Sequence, residues 1–266
     1  LLHDLNHLTL RDPPVQFILS GDFNQYTPIC DNYLGEPVTR SFEDCELLHA
    51  MAGGNRLCLT EYRRGDDPYL FEWYSSLVKD GARHATPLQS VVKEARIAFP
   101  VNVAEGFIQG TRLAPTNLVI SHAKRISINA ECNEADRRGR DAQHICLSEF
   151  EAILTKKQLE QIERKPNKPQ DAYFWAGQIV VACVQERGKL RNGLEYEIVE
   201  LAEKVVLRAR GSDAPFGITR LQFFVGLRLR YAVTYASAQG LTIQGLLCLQ
   251  DTAHTHFDRR KLFVWG

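Results

Sequence analysis

The stretch Phe17–Gln25, reading FILSGDFNQ, constrains this chain more than any other. An apolar run, Phe17-Ile18-Leu19, ends in Ser-Gly-Asp and gives way at once to the polar pair Asn24 and Gln25. A buried parallel strand delivers an acid and an amide to the carboxyl edge of an α/β sheet in this way, and ligands bind at that edge. The pattern predicts a buried strand over Val15–Leu19, after a turn at Pro13-Pro14, and bounds the function to phosphate or metal chemistry.

With 266 residues the chain has room for one large domain or two modest ones, each with a real core. Lys plus Arg equals Asp plus Glu at 32 each, so bulk charge argues neither for nor against nucleic acid. The distribution is uneven. The first fifty residues are mainly acidic (Asp22, Asp31, Glu36, Glu43, Asp44, Glu46). Basic clusters follow at Arg63-Arg64, Lys124-Arg125, Arg137-Arg138 with Arg140, Lys165 with Lys168, and Arg228 with Arg230. Taken singly, such clusters read as solvated faces. Seven cysteines without a C-x-x-C pair exclude a zinc framework or a disulfide-stapled secreted domain, and predict a reducing, intracellular compartment. No metal site is expected from the residues present. No run of about 18 apolar residues occurs, so no membrane contact is expected. The chain opens mid-element at Leu1 and stops within Leu262-Phe263-Val264-Trp265, which reads as a piece of something longer.

Further elements follow from pattern. Ser41, ahead of Glu43-Asp44 and Leu47-Leu48, is the expected N-cap of a helix, and Leu57–Thr60 a short strand. Asp67-Pro68 should open an amphipathic helix through Leu70, Phe71, Tyr74 and Leu77 that stops near Gly81. A buried strand at Asn117–Ser121 should lead into a helix from Ala123 to about Arg137. A charged helix and linker are expected over Lys156–Lys168. From Ala172 the pattern turns to short β segments at Gln178–Val184, Tyr196–Leu201 and Lys204–Arg208. Gly188, Asn192-Gly193 and Gly211 fall at the turns, and Asn192-Gly193 is a hairpin signal. Together these predict a small β-barrel inserted at about 172–222 in an α/β chain. Buried strands at Tyr231–Tyr235 and Gly245–Leu249 then flank a Gly-Leu-Thr turn.

Three motifs in order resemble those of superfamily 1 DNA helicases of the RecD-like and Pif-type branch. Gly21-Asp22-Phe23-Asn24-Gln25 with Pro28 is similar to the "GDxxQ…P" motif, in which the Gln senses the γ-phosphate; an amide both donates and accepts. Leu59-Thr60-Glu61-Tyr62-Arg63-Arg64 resembles a motif whose arginine stabilises charge on the transferred phosphoryl group, leaving Arg63 or Arg64 as the finger. The segment from Tyr231 to Thr242, YAVTYASAQGLT, resembles "AxTxHKSQGLT", which in the family contacts the strand backbone and the nucleotide side. It departs at Ala236, Ser237 and Ala238, where His, Lys and Ser are usual. Weaker resemblances are Ala114-Pro115-Thr116-Asn117 with Asn129 ("PTN…IN"), Gly177 through Asn192-Gly193, and His256 through Val264.

The resemblance implies partial tandem RecA-like (P-loop NTPase-type) domains. Residues 1–56 would end the first motor domain and residues 57–266 form the second, with the inserted barrel. It implies ATP and Mg2+ as cofactors, with Gln25, Arg63 and Arg64 catalytic. Gly21, Asp22, Gln25, Gln239 and Gly240 would lie against the nucleotide, and Thr234, Ser237 and Thr242 against DNA. Single-stranded DNA and duplex junctions are the implied partners of a monomeric motor, moving 5′-to-3′ by branch analogy. No G-x-x-x-x-G-K-[ST] occurs in these residues, so the chain alone is expected to be inactive as an ATPase.

Two other readings stay open. A helicase-derived module could keep the strand-binding face without the engine, which the changes at Ala236–Ala238 favour. "GDFN" also resembles the endonuclease/exonuclease/phosphatase family, with Asp22 and Asn24 positioning a phosphate and a water. No Ser-Asp-His accompanies it, however, and His254 and His256 are preceded by Ala and Thr.

Overall fold

The computed structural model describes residues 2–21, 32–33, 36–37, 45–57, 67–77, 81–99, 107–109, 111, 113–165, 167–239, 241, 243 and 245–265. They form a mixed α/β structure with parallel and antiparallel sheets. The chain divides into two compact units, residues 1–91 with 258–266, and residues 92–257.

The first unit is mainly helical. It holds α1 (Leu2–Thr9), a two-residue antiparallel pair of β1 (Asn32–Tyr33) with β2 (Glu36–Pro37), α2 (Glu46–Met51), α3 (Pro68–Ser75) and a later helix at Arg259–Trp265. Helix α3 starts where its sequence says. Asp67 caps it by accepting from the Tyr69 and Leu70 amides at 3.0 and 3.1 Å, with Pro68 at the first turn. Its Trp73 and the following Leu77 are buried. The chain turns back at Gly81, where a side chain would run into the Ser76 carbonyl. Arg259 ties this turn to the last helix by donating to the Arg83 and Thr86 carbonyls.

Three expectations in this unit need correction. Residues 14–21 are not a strand. Ile18 is fully exposed, and Val15 and Leu19 are also exposed. A parallel strand is stable only between partners that take its backbone bonds and cover its side chains, and no described strand pairs with this run. The helix expected behind Ser41 starts at Glu46 with Cys45 at its N-cap, and Cys45 makes no side-chain capping bond. Leu57, expected to open a short strand, is an almost fully exposed coil residue; Ser41 and residues 58–60 lie outside the described residues.

The second unit carries two sheets. Helix α4 (Leu88–Ala98) runs into it. Its parallel sheet has β3 (Thr116–Val119) in the centre, β11 (Ala232–Thr234) on one side and β12 (Leu247–Leu249) on the other. Strand β3 is buried along its whole length, as a central parallel strand must be. It leads into α5 (His122–Asp136), whose N-cap Ser121 accepts from the Lys124 amide at 3.2 Å. Between β4 (Gln143–Ile145) and β5 (Ala172–Phe174), which form a short antiparallel pair, the chain runs through α6 (Lys156–Arg164). Thr155 and Gln158 form a reciprocal capping box at its start.

The antiparallel sheet has the order β10-β6-β7-β8-β9. Strands β6 (Ile179–Ala182), β7 (Glu195–Leu201), β8 (Lys204–Ala209) and β9 (Pro215–Thr219) form a meander. Helix α7 (Arg220–Gly226) then returns the chain so that β10 (Leu227–Leu229) pairs with β6. Alternate residues of β6 and β7 point inward onto a core of Val180, Ala182, Tyr196, Ile198, Phe223 and Leu227. Phe174 meets Phe223 edge-on with ring centroids 4.9 Å apart. Where a barrel over 172–222 is expected, the described strands form a sheet with β9 and β10 as its edges. Asn192-Gly193 forms a turn, with the Leu194 amide donating to the Arg191 carbonyl at 3.0 Å, and it closes the long β6–β7 connection, where Gly193 (φ 81°) donates its amide to the Ala182 carbonyl at 2.8 Å. The Tyr196 hydroxyl holds that connection, accepting from the Arg191 amide and donating to the Lys189 carbonyl.

Candidate nucleic-acid interface

Chain order and sheet order disagree in the parallel sheet. Strand β3 comes first in sequence but lies between β11 and β12. Connections that leave a central strand to opposite sides open a crevice at its carboxyl end, where open α/β sheets bind ligands. Three groups gather at the ends of these strands. Ser121 caps α5; Asp251 follows β12; and Thr234 ends β11 and caps the one-turn helix Tyr235–Ala238.

Thr234 is buried, and its hydroxyl does double duty. It accepts from the Ser237 amide at 3.3 Å and donates to the Ser237 hydroxyl at 2.8 Å. Ser237 itself is exposed. Tyr235 and Ala238 point the other way, into the core; the Tyr235 hydroxyl donates to the Gln250 carbonyl at 2.7 Å, and its ring packs edge-on against Phe257. The turn therefore presents Ala236 and Ser237 outward from a fixed base. Thr234, Ser237, Leu241, Asn192 and Gly193 line part of a small cavity of about 60 Å3.

Asp251 sits at a backbone φ of 60° and accepts from the Ile120 amide at 3.0 Å and from the Lys124 ammonium. Burial pushes its carboxyl upward, but these two bonds outweigh burial and leave it below the ordinary carboxylate value. Lys124 is thus an ion-pair partner that closes the end of β3 to β12.

The asparagines of the "PTN…IN" resemblance prove to be backbone partners. Asn117 is fully buried. It donates to the Ala114 and Tyr231 carbonyls at 2.7 and 2.9 Å and accepts from Gln250 at 3.1 Å. Asn129 accepts from the Ala232 amide at 2.8 Å and donates to the Ala232 carbonyl at 3.2 Å. Asn133 does the same for Tyr173, at 2.8 Å in both directions. An amide side chain presents the same donor and acceptor pair as a peptide, so each of these last two acts as one residue of an absent strand.

Of the expected site residues, Thr234, Ser237 and Gln239 fall on one turn, with Gln239 half-buried beside the Ala238 end. Gly21 is exposed in the first unit, and a side chain there would meet nothing within 4 Å. Asp22, Gln25, Arg63, Arg64, Gly240 and Thr242 lie outside the described residues. Among the described residues, no group of three or more His, Cys, Asp or Glu is placed to hold a metal ion. His254 and His256 are exposed with ring centroids 5.3 Å apart, and His254 Nδ1 already accepts from the His256 amide. Among the described residues, no helix is long and apolar enough to cross a membrane.

The reading of basic clusters as solvated faces fails at two positions. Arg125 and Arg228 are 3% and 7% exposed. Leu227-Arg228-Leu229-Arg230 alternates like a half-exposed strand, yet all three residues of β10 are buried. No local signal reveals this, because it takes α7 to fold back over the strand.

No protein-family model and no curated protein sequence matches the chain. Solved structures do. The Pif1 helicase from Candida albicans aligns over 74% of this chain and 50% of its own, at 13% identity and a TM-score of 0.47. Bacteroides Pif1 bound to single-stranded DNA aligns over 77% and 47%, at 13% identity and a TM-score of 0.43. Bacteroides sp Pif1 in complex with ADP-AlF4 aligns over 70% and 43%, at 14% identity and a TM-score of 0.30. The chain spans about half the length of these structures or less. At such identities and scores the likeness assigns no role to any residue here.

Proposed function

We propose that the chain is part of a superfamily 1-type DNA helicase, a motor that couples ATP hydrolysis to movement along single-stranded DNA and so unwinds duplexes, in the 5′-to-3′ direction. Residues 1–56 would end the first motor domain, and residues 57–266 form the second. The observation that carries this reading is the position of the segment Thr234–Gln239. It lies at the carboxyl end of a parallel strand, the edge at which open α/β sheets bind ligands, with its outer face open and its inner face anchored. A backbone phosphate can be met there by the exposed Ser237 hydroxyl, which Thr234 orients.

ATP supplies the driving hydrolysis when bound, with Gln25 sensing its γ-phosphate and Arg63 or Arg64 offsetting charge on the transferred group. The described residues do not by themselves build a triphosphate cradle, and Mg2+ would need ligands other than those described. What these residues do is hold the strand. Ser237 stands where the resembling family carries Lys, so the contact is a neutral hydrogen bond, weaker than a charged one and less dependent on salt.

The test is fluorescence anisotropy with a labelled oligo-dT across a salt series. Binding at low salt is expected, and Ser237→Glu should weaken it about tenfold or more by setting a carboxylate against phosphate. No binding of the unaltered chain at low salt, or full affinity in the Glu variant, refutes the assignment. The departures at Ala236, Ser237 and Ala238 favour a second reading, a binding module without a motor. Strand-stimulated ATP turnover by a longer chain that includes these residues separates the two.

A further inference from the structure

Behind the Thr234 turn two arginines lie buried without an acid. Arg125, on α5, donates one Nη2–H to the Lys168 carbonyl at 3.2 Å; among the described residues its Nε and Nη1 have no partner. Arg228, on β10, donates through Nη1 to the carbonyls of Phe224, Val225 and Leu227, and through Nη2 to that of Asn167 at 2.7 Å. Its Nε has no partner either. Both line the cavity of about 60 Å3 that Thr234 and Ser237 also border. Asn167 lines it too, and its side-chain oxygen is buried and unpaired.

This arrangement is costly as it stands. A buried guanidinium is ordinarily matched by a carboxylate or fully hydrogen-bonded, because desolvation of an unmatched charge costs several kcal/mol. Neither arginine is in an ion pair with any described residue, and among the described residues no carboxylate lines the cavity. Burial and then the charge of Arg228 bring Arg125 down to about 10. The same positive field reaches outward: after burial, Arg125 and then Arg228 lower His122. Cys183 lines the cavity as well, but burial pushes its thiol up, against the opposing pull of Arg228, Arg125 and Lys165, so it stays neutral and does not offset the pair. Two buried positive charges with no described acid beside them, lining a space of this size, suit one tetrahedral oxyanion.

We propose that Arg125 and Arg228 form a binding site for a phosphoryl group, held in the cavity between the Thr234 turn and the β6–β10 edge of the antiparallel sheet. The arginines are the charge, the Ser237 hydroxyl is a neutral donor, and Leu241 walls one side. The phosphoryl group comes either from free phosphate or from the backbone of a single strand. Only the second source rests on the helicase reading; the first would hold without it.

The test uses the whole chain. Arginine Nε–H resonances are followed by NMR while inorganic phosphate replaces chloride at constant ionic strength, and the melting temperature is read in parallel. Two Nε–H signals, assigned through Arg125→Lys and Arg228→Lys, should move saturably, and the melting temperature should rise with phosphate. Each Lys variant should weaken phosphate binding about tenfold or more, since an ammonium does not reproduce the guanidinium Nε–H. Absence of any saturable change in the unaltered chain overturns the proposal, as does unchanged phosphate affinity in both variants. If a variant does not fold, the titration of the unaltered chain still decides. A phosphodiester oligo-dT that displaces phosphate, beside a methylphosphonate oligo-dT that does not, identifies the backbone as the source. Phosphate binding that neither oligomer disturbs supports the site with a free oxyanion, and at the same time counts against the strand-tracking function.

Discussion

Asn129→Ala tests the way this fold holds its site. Strand β11 is an edge strand of the parallel sheet, and its outward backbone groups at Ala232 are buried against α5 rather than bonded to another strand. Asn129 serves them both, at 2.8 and 3.2 Å, from a fully buried position. Truncation removes two hydrogen bonds worth about 1 kcal/mol each and leaves a donor and an acceptor with no water to replace the amide. Together these give about 3–4 kcal/mol. At about 2–4 °C per kcal/mol for a domain of this size, the melting temperature should fall by about 6–16 °C. Ser127→Ala, at an exposed position of the same helix, should change stability by no more than about 0.5 kcal/mol. Asn129→Asp adds a sign. The carboxylate keeps the bond from the Ala232 amide but faces the Ala232 carbonyl with negative charge, so its deficit should shrink as the pH is lowered and the acid protonates. Calorimetry or a urea melt reads all three. A shift under about 2 °C for the Ala variant, no larger than the Ser127 control, would refute the idea that this side chain stands in for a strand.

Gly226→Ala should cost about 1–3 kcal/mol, since a Cβ there would meet Leu190 Cδ1 and Val184 Cγ2 at 3.1 Å in a packed core; a urea melt that does not move would contradict this. The Asp251 carboxyl is held below its ordinary value of 3.8, so the stability it contributes is fully present above that value and is lost as the pH falls through the lower folded-state value. Asp251→Asn should therefore flatten the acid limb of a stability–pH profile, and an unchanged limb would exclude the Ile120–Lys124 bonds as its cause. Tyr235→Phe should lose about 1 kcal/mol by leaving the Gln250 carbonyl without its donor, with single-strand affinity reading whether the Thr234 turn shifts with it.

The sequence is most legible where structure is decided within a few residues. Asp67-Pro68 and Ser121 start helices because capping is a bond between a side chain and an amide two or three positions on. The strand around Leu118 and the strands Ala232–Thr234 and Leu247–Leu249 follow from short apolar runs. Legibility fails where the deciding partner is distant. Phe17-Ile18-Leu19 has strand character but pairs with no described strand, and its Ile18 and Leu19 lie exposed. Asn192-Gly193 forms the turn its chemistry predicts, but the length of the connection it closes, held by Tyr196 and by the Ala182 amide and carbonyl, is not written in that pair. Arg228 alternates correctly for a solvated face and is buried by a helix that folds over it.

The same distinction bears on what a motif resemblance means. Asn117 and Asn129 sit in a segment that resembles one from a nucleic-acid motor, and a ligand contact is the ready inference for a polar residue in such a place. Their amides are instead consumed by backbone groups around the sheet and, for the Asn117 oxygen, by the Gln250 side chain, leaving neither free to meet a strand. Three short parallel strands supply few ladder bonds, so the edges must be closed by side chains, and a peptide-like amide is the group that closes an edge in both directions. This links fold to site directly. Asn129 holds Ala232, Ala232 is two residues from Thr234, and Thr234 sets the Ser237 hydroxyl and one wall of the arginine-lined cavity. A loss of the Asn129 bonds should therefore weaken binding of single-stranded DNA and of phosphate together, at temperatures well below unfolding. Loss of stability with both affinities intact would break that chain of cause between Ala232 and the turn.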